Sequence, residues 1–243
     1  MQVLVIDVGG SHVKIRATGE PEERKFDSGP DMTAAQMAEG VKTLAAGWAY
    51  DAVAIGYPGV VNNDQPATEP HNLGRGWVGF DYRGAFAGKP VKIINDAAMQ
   101  ALGSYQRGKL LFLGLGTGLG SAMIVDGVVL PMELAHLPYR KHSFEYYVGE
   151  DALERLGRRK WRRRVFDVVE RLCAALLPDE VVIGGGNVRH LNELPPRCRA
   201  GDNANAFAGG FRLWAGAPAT AAGPRRATGT PRGKAAAKRR AAR

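Results

Sequence analysis

The sequence predicts an α/β protein made of two related lobes that face each other across a cleft. Two observations carry that expectation, and a third supports it. A strand–turn–strand unit with glycines at the turn, followed by a helix, begins at residue 2. A second unit of the same kind begins at residue 110. Short apolar runs at 51–56 and 181–183 end in Tyr57-Pro58-Gly59 and in Gly184-Gly185-Gly186, placing further turns where strands stop.

Taken in order, residues 2–7 (QVLVID) have the length and apolar content of a buried strand, and Gly9-Gly10-Ser11 follow as a tight turn. His12 to Thr18 alternates as the second strand of a hairpin. Thr33 to Trp48 has helical spacing, with Thr33 in the N-cap position. After the strand at 51–56 a polar, proline-containing loop runs to Asn72, and Val91 to Ile94 is the next strand. Ala97 to Arg107 is helical and Leu110 to Leu115 a strand; Gly114 to Gly120 turn, and Ser121 to Val125 return. Leu153 to Leu177 is helical with a break near Gly157, and Ala204 to Trp214 is the closing helix. The expected division is a lobe of residues 1–95 joined by the closing helix 204–214, a lobe of residues 96–203, and a basic Ala/Pro/Arg tail, 215–243. The tail has too little apolar bulk to offset the entropy of ordering and is expected to be disordered.

Bulk properties bound the function. The chain has 243 residues, 45% of them apolar, enough for one core or two small ones. No run approaches the roughly 20 apolar residues that span a bilayer. No basic lead precedes Val3 to Ile6, so no signal peptide and a cytoplasmic location are expected. Cys173 and Cys198 are the only cysteines, which excludes a disulfide framework and any metal site of three or four thiolates. Of the net charge of +9, eight positive charges fall after Ala215 with no acid among them. The basic character is a property of the tail, and nucleic acid is not expected as a partner except non-specifically through it.

Four constellations carry chemistry. In Asp7-Val8-Gly9-Gly10-Ser11, glycines let backbone amides approach a phosphate, and an acid at the strand end can hold Mg²⁺ through water. Gly116-Thr117-Gly118 lies in a second glycine-rich turn between apolar strands, with a hydroxyl to donate to a phosphate oxygen. Either turn alone has a plain alternative, an ordinary glycine hairpin; two in the same context weigh against it. Asn95-Asp96 stands between a strand and a helix, where a carboxylate can take the proton of an attacking hydroxyl. The competing role for Asp96 is a helix N-cap. Glu133 and His136, with Glu145 further on, are placed to grip neighbouring sugar hydroxyls, against the alternative of ordinary surface residues.

In this order the pieces resemble the ROK family of sugar kinases and sugar-sensing repressors, from about Val3 to Trp214, and most closely its polyphosphate/ATP glucokinase branch. Asp7 to Ser11 and Gly114 to Gly120 resemble the family's two phosphate motifs, Tyr57-Pro58-Gly59 its sugar loop, and Asn72 to Gly79 the Asn…Trp-Ile-Gly segment of that branch. Asn95-Asp96-Ala97 resembles the Asn-Asp-Ala whose Asp is the general base. Val182 to Gly186 and Gly201 to Ala204 resemble the late glycine loop and the start of the last helix.

The resemblance implies a two-lobed actin/hexokinase-like (ribonuclease H-like) fold with the active site between the lobes. It implies a hexose kinase moving a phosphoryl group from polyphosphate or ATP to the 6-hydroxyl of glucose, with Mg²⁺ as cofactor and Asp96 as base. Asp7, Gly9, Gly10, Ser11, Gly116, Thr117, Gly118, Gly184 and Gly185 are the expected donor-binding residues, with Asp7 holding Mg²⁺ through water. Pro58, Gly59, Asn72, Asn95, Asp96, Glu133, His136 and Glu145 are the expected sugar-binding residues. Where many members have a zinc-binding cysteine cluster this chain has Lys141-His142-Ser143-Phe144-Glu145, so no zinc is expected. Ala135 replaces the glycine of the family's Glu-x-Gly-His, and its methyl bears on which sugar is taken.

A kinase of another hexose or amino sugar, and a non-catalytic sugar-binding or regulatory protein, are the competing functions. A DNA-binding repressor is disfavoured because only six residues precede Asp7. A homodimer is the family's common state. Arg158-Arg159-Lys160 and Arg162-Arg163-Arg164 around Trp161 form either a solvated helix face or a patch for the polyanionic donor.

Overall fold

In the computed structural model, which describes residues 1–202 and 204–215, the chain runs in order through fourteen strands and six α-helices. Asn203 and the tail from residue 216 lie outside the described residues, and with them most of the expected disordered segment. The first half contains β1 (Val3–Val8), β2 (His12–Ala17), β3 (Arg24–Asp27), α1 (Ala34–Leu44), β4 (Ala52–Tyr57), β5 (Val61–Asn62), β6 (Gln65–Pro66), α2 (Tyr82–Ala85), β7 (Val91–Asn95) and α3 (Asp96–Ser104). The second contains β8 (Lys109–Leu115), β9 (Leu119–Val125), β10 (Val128–Pro131), β11 (Pro138–Tyr139), β12 (His142–Ser143), α4 (Phe144–Val148), α5 (Glu150–Leu176), β13 (Glu180–Gly184), a 3₁₀ turn at Gly186–His190, β14 (Cys198–Ala200) and α6 (Asn205–Arg212).

Two five-stranded sheets repeat one topology. The first has the order β3-β2-β1-β4-β7 and the second β10-β9-β8-β13-β14. In each, the first three strands in sequence form an antiparallel meander, and the remaining two join in parallel beside its first strand.

Strand alternation assigns the two faces of each sheet. Leu4, Ile6 and Val8 of β1 join Val53, Ile55 and Tyr57 of β4 on the outer face, under α1 and the segment around Trp77. Leu111, Leu113 and Leu115 of β8 pack outward against Trp161, Val165 and Val169 of α5. The inward residues Val3, Val5, Ala54, Leu110, Phe112 and Val182 share one core with Ala98, Met99 and Leu102 of α3 and Ala206 and Phe207 of α6. The two sheets therefore sandwich α3 and α6.

Local signals explain most element ends. Thr33 caps α1 in a reciprocal box with Gln36, although the helix stops at Leu44, earlier than its apolar spacing suggested. The break in α5 is at Gly157, at φ 73° and ψ 155°, so the element is two helices joined at a left-handed residue. α3 ends at Ser104, and α6 is one residue shorter at its start and two at its end than expected.

Candidate active site

The same alternation that builds the cores builds the site. Asp7 follows Val3 and Val5 on the inward face of β1, two residues past the last apolar one, so its carboxyl faces the space between the sheets. Asn95 ends β7 on the neighbouring parallel ladder, and Asp96 begins α3. The helix cap is Asn95, whose ψ of 142° is non-helical and whose Oδ1 accepts from Ala98 N at 3.1 Å. Its amide donates to the Gly59 carbonyl at 3.1 Å, tying the Tyr57-Pro58-Gly59 turn to the start of α3. Asp96 is therefore relieved of capping. One oxygen accepts from Ala97 N at 2.7 Å, and the group stays partly open to the cleft.

Electrostatics couple the two carboxyls. Burial, and after it the Asp7 charge, push Asp96 up from the usual 3.8 to about 7; the Ala97 amide pulls back, and Glu133 adds a further push upward. Burial raises Asp7 to about 6, against the pull of Lys14 and with a contribution from Glu23. Two carboxyls held towards protonation by burial, Asp96 also by the charge of Asp7, are what a divalent cation would relieve, so the donor set fits Mg²⁺. Among the described residues no three His, Cys, Asp or Glu side chains gather into a site of their own for a metal. Ligation would thus depend on Asp7, water and phosphate oxygens.

The glycine turns close around this pair. In the first, Gly9 N donates to His12 O at 3.0 Å and Ser28 Oγ to Gly9 O at 2.7 Å; Gly10 faces Asn72, and Ser11 is exposed. In the second, Gly116 N donates to Gly118 O at 3.1 Å, Thr117 is exposed, and Gly120 backs onto Ala97 beside Asp96. In the third, Gly185 packs beneath Leu115, and Gly184 lies against Phe112 and Gln100.

The remaining expected residues are placed less uniformly. Pro58 is half-buried beside Gly59. Glu145 hydrogen-bonds the second turn itself, with Oε2 accepting from Leu119 N at 3.1 Å. Glu133 and His136 are exposed, with 3.9 Å between Oε1 and Nε2. Ala135 between them is buried, and its carbonyl accepts from Glu145 N at 3.0 Å.

Three residues that sequence reasoning missed belong to this neighbourhood. Lys14 pairs with Asp7 across the β1–β2 ladder; the alternation of residues 12–18 was the available signal. Asn187, buried, donates from Nδ2 to Gly116 O at 3.1 Å and so ties the third turn to the second; nothing local marks it. Glu69 accepts from Trp77 N at 3.1 Å and Val78 N at 3.3 Å. Burial pushes its carboxyl up, but the Trp77, Val78 and Gly76 amides outweigh that and hold it below the usual range. Trp77 is buried, donates to Met32 O at 3.2 Å and packs on Tyr57 at 5.6 Å, which fixes the Asn72–Gly79 loop to the first sheet.

Residues 3–131 match the model of the ROK family. The chain belongs to the ROK family. This ROK chain is 28% identical over 212 residues to the polyphosphate glucokinase of Mycobacterium tuberculosis, covering 79% of this chain and 80% of that protein. It is 32% identical over 145 residues to the kanosamine kinase of Amycolatopsis mediterranei, 53% of this chain and 47% of the relative. Its fold matches that of the polyphosphate/ATP-glucomannokinase of Arthrobacter sp. strain KM with a TM-score of 0.76 at 23% identity, over 88% of this chain and 98% of the other. The actin/hexokinase-like α/β fold expected for the ROK chain is the one it has. Among the described residues no helix is long and apolar enough to cross a membrane.

Proposed function

We propose that this protein, a sugar kinase, transfers a terminal phosphoryl group from ATP or polyphosphate to the 6-hydroxyl of glucose, with Asp96 as general base. The observation that carries the reading is the meeting of Asp96, Asp7 and the second glycine turn between the two sheets. The reading takes residues 1–95 with the closing helix as one lobe and residues 96–203 as the other.

Phosphoryl transfer needs positioning and charge stabilisation more than covalent help. The amides of Gly10, Thr117 and Gly118, with the Ser11 and Thr117 hydroxyls, hold the donor's phosphates; Gly9 and Gly116, whose own amides close the two turns on His12 O and Gly118 O, shape those turns, and Gly184 and Gly185 back them. Asp7 would hold Mg²⁺, which when bound would supply neutralisation of the charge on the transferred group. Asp96 accepts the 6-hydroxyl proton as the sugar attacks; a carboxyl near 7 is matched to that exchange at neutral pH. Asn95 and Gly59 fix the base's neighbours, and Asn72, Glu133, His136 and Glu145 orient the ring. The buried methyl of Ala135, and the similarity to a kanosamine kinase, favour an amino sugar as the second substrate to try.

The test is glucose 6-phosphate formation by purified protein with Mg²⁺ and either ATP or long-chain polyphosphate. Turnover with one donor or both is the expected result. A folded protein inactive with both donors across a panel of hexoses and amino sugars overturns the reading in favour of a sugar-binding role.

A further inference from the structure

The second glycine turn has two neighbourhoods of opposite chemistry. Thr117 lines a cavity of about 690 Å³ whose wall also includes Glu145, Asp151, Glu154 and Arg155. Three carboxylates against one guanidinium repel a chain of phosphates. Asn187, which is not part of that wall, reaches Gly116 O, and Arg189 and His190 lie two and three residues further along the same 3₁₀ turn. At about 2 Å of rise per residue, this puts His190 roughly 6 Å along the axis from the donor turn's anchor.

Around His190 the cations gather. Arg189 Nε donates to His190 Nε2 at 3.3 Å, and Arg162 Nε, from α5, donates to the His190 carbonyl. Arg158 stands four residues before Arg162 in the same helical segment of α5, on the same face; burial and then Arg158, Arg189 and Arg162 hold the imidazole below its usual range. Among the described residues none of these three guanidiniums pairs with a carboxylate. The fold also divides the run of six cations in the sequence. Trp161 is buried, donating to Val148 O at 2.9 Å, and Arg164 turns to the ring of Tyr147.

The position of the group in its helix argues against a merely solvated face. Because Gly157 breaks α5, Arg158, Arg159 and Lys160 occupy the first turn of the second helical segment. The helix dipole favours acids there and is opposed by cations. These side chains lower the stability of the helix end they occupy, and a charged partner offsets that.

We infer that Arg158, Arg162 and Arg189 form a separate binding track for the distal run of a polyphosphate chain, whose terminal phosphate lies at the Gly116–Gly118 turn. The inference rests on the donor reading above and deepens it: the track engages the continuing phosphates of a long donor and leaves ATP, whose chain ends in an uncharged nucleoside, to the glycine turns.

The full chain is compared with its Arg158→Gln/Arg189→Gln double variant and with a triple variant adding Arg162→Gln. The double variant keeps the hydrogen bond from Arg162 to the 3₁₀ turn, so it guards against a fold defect. Equilibrium binding of fluorescent long-chain polyphosphate is measured without sugar across a salt series, beside the KM for polyphosphate and for ATP. The tail's cations are common to all three proteins, so differences report the track. Binding is expected to weaken on the order of 10-fold in the double variant, and the salt slope to fall by about 2 in the triple. The KM for polyphosphate rises in parallel and the KM for ATP stays put.

Unchanged polyphosphate binding in the triple variant overturns the track, as does an equal rise in the KM for ATP, or an equal loss of binding to single-stranded DNA. If neither donor yields sugar phosphate but polyphosphate binding still depends on these arginines, the track stands and the kinase reading falls. Turnover with ATP by a wild type that does not bind polyphosphate has the opposite meaning.

Discussion

Asp96→Asn should stabilise the protein while disabling it. In the metal-free fold, burial and the Asp7 charge raise Asp96 from 3.8 to about 7. Each unit corresponds to about 1.4 kcal/mol, so ionising the group in place costs at most ~4 kcal/mol. The carboxyl is partly open to the cleft, and some of the cost belongs to Asp7; about 2 kcal/mol is the working figure. The sign follows from the direction of the shift. A carboxyl whose folded pKa lies above its unfolded one stabilises fully below pH ~4 and loses that contribution as pH rises through 7. Asparagine carries no such penalty, and its Oδ1 still accepts from Ala97 N. The variant should therefore gain on wild type between pH 5 and 8 in EDTA, reaching about 2 kcal/mol by urea unfolding, or roughly 4–8 °C in Tm for a chain this size. Turnover with Mg²⁺ should fall by about 10²–10⁴. A variant no more stable at pH 8 than at pH 5, relative to wild type, would sink the electrostatic argument. Wild-type turnover would remove Asp96 from the chemistry.

The second turn offers two further tests. A Cβ on Gly118 would overlap the Glu145 carboxylate, so Gly118→Ala should cost about 1–3 kcal/mol and raise the donor KM. Adding Glu145→Ala should recover part of the stability, measured as a double-mutant cycle in urea. Asn187→Ala leaves the Gly116 carbonyl unpaired, for about 1–3 kcal/mol, and should raise the donor KM while the sugar KM holds. Burial, and then Cys173, push the Cys198 thiol up to about 12, so at pH 8 it should react with a disulfide reagent orders of magnitude more slowly than a free thiol.

What the sequence made legible, and what it hid, divides along a physical line. Buried strands announce themselves: QVLVID, DAVAIG and the runs at 110–115 and 181–183 are apolar because both faces are covered. Edge strands do not. Arg24–Asp27 is charged and mostly exposed, and Cys198–Ala200 has three residues; each is a strand only because a neighbour's backbone pairs with it. Without β3 and β14 the exact repetition of one sheet topology stayed out of sight. Contacts across long separations were hidden for the same reason. Glu145 and Asn187 meet the second turn from 26 and 71 residues away, and no local pattern encodes either meeting.

The repeat also shows where the two sheets part company. Register makes Val8 opposite Val13 equivalent to Leu115 opposite Leu119, so the next pair inward is Asp7–Lys14 in one sheet and Gly114–Gly120 in the other. One sheet presents a carboxylate and an ammonium to the cleft at the position where the other presents no side chain at all. Gly120 uses that space to bring the second turn against Ala97, beside the carboxyl of Asp96; a Cβ there would sit 3.0 Å from the Ala97 methyl. The turns differ in length by one residue, 9–12 against 116–118, which offsets the two motifs in sequence and conceals the equivalence. Charge on one side and clearance on the other are complementary requirements of a single site. A substitution that makes the pairs alike, such as Gly120→Ser, should therefore reduce turnover more than stability, because it displaces the turn from Asp96 while both outer cores remain intact.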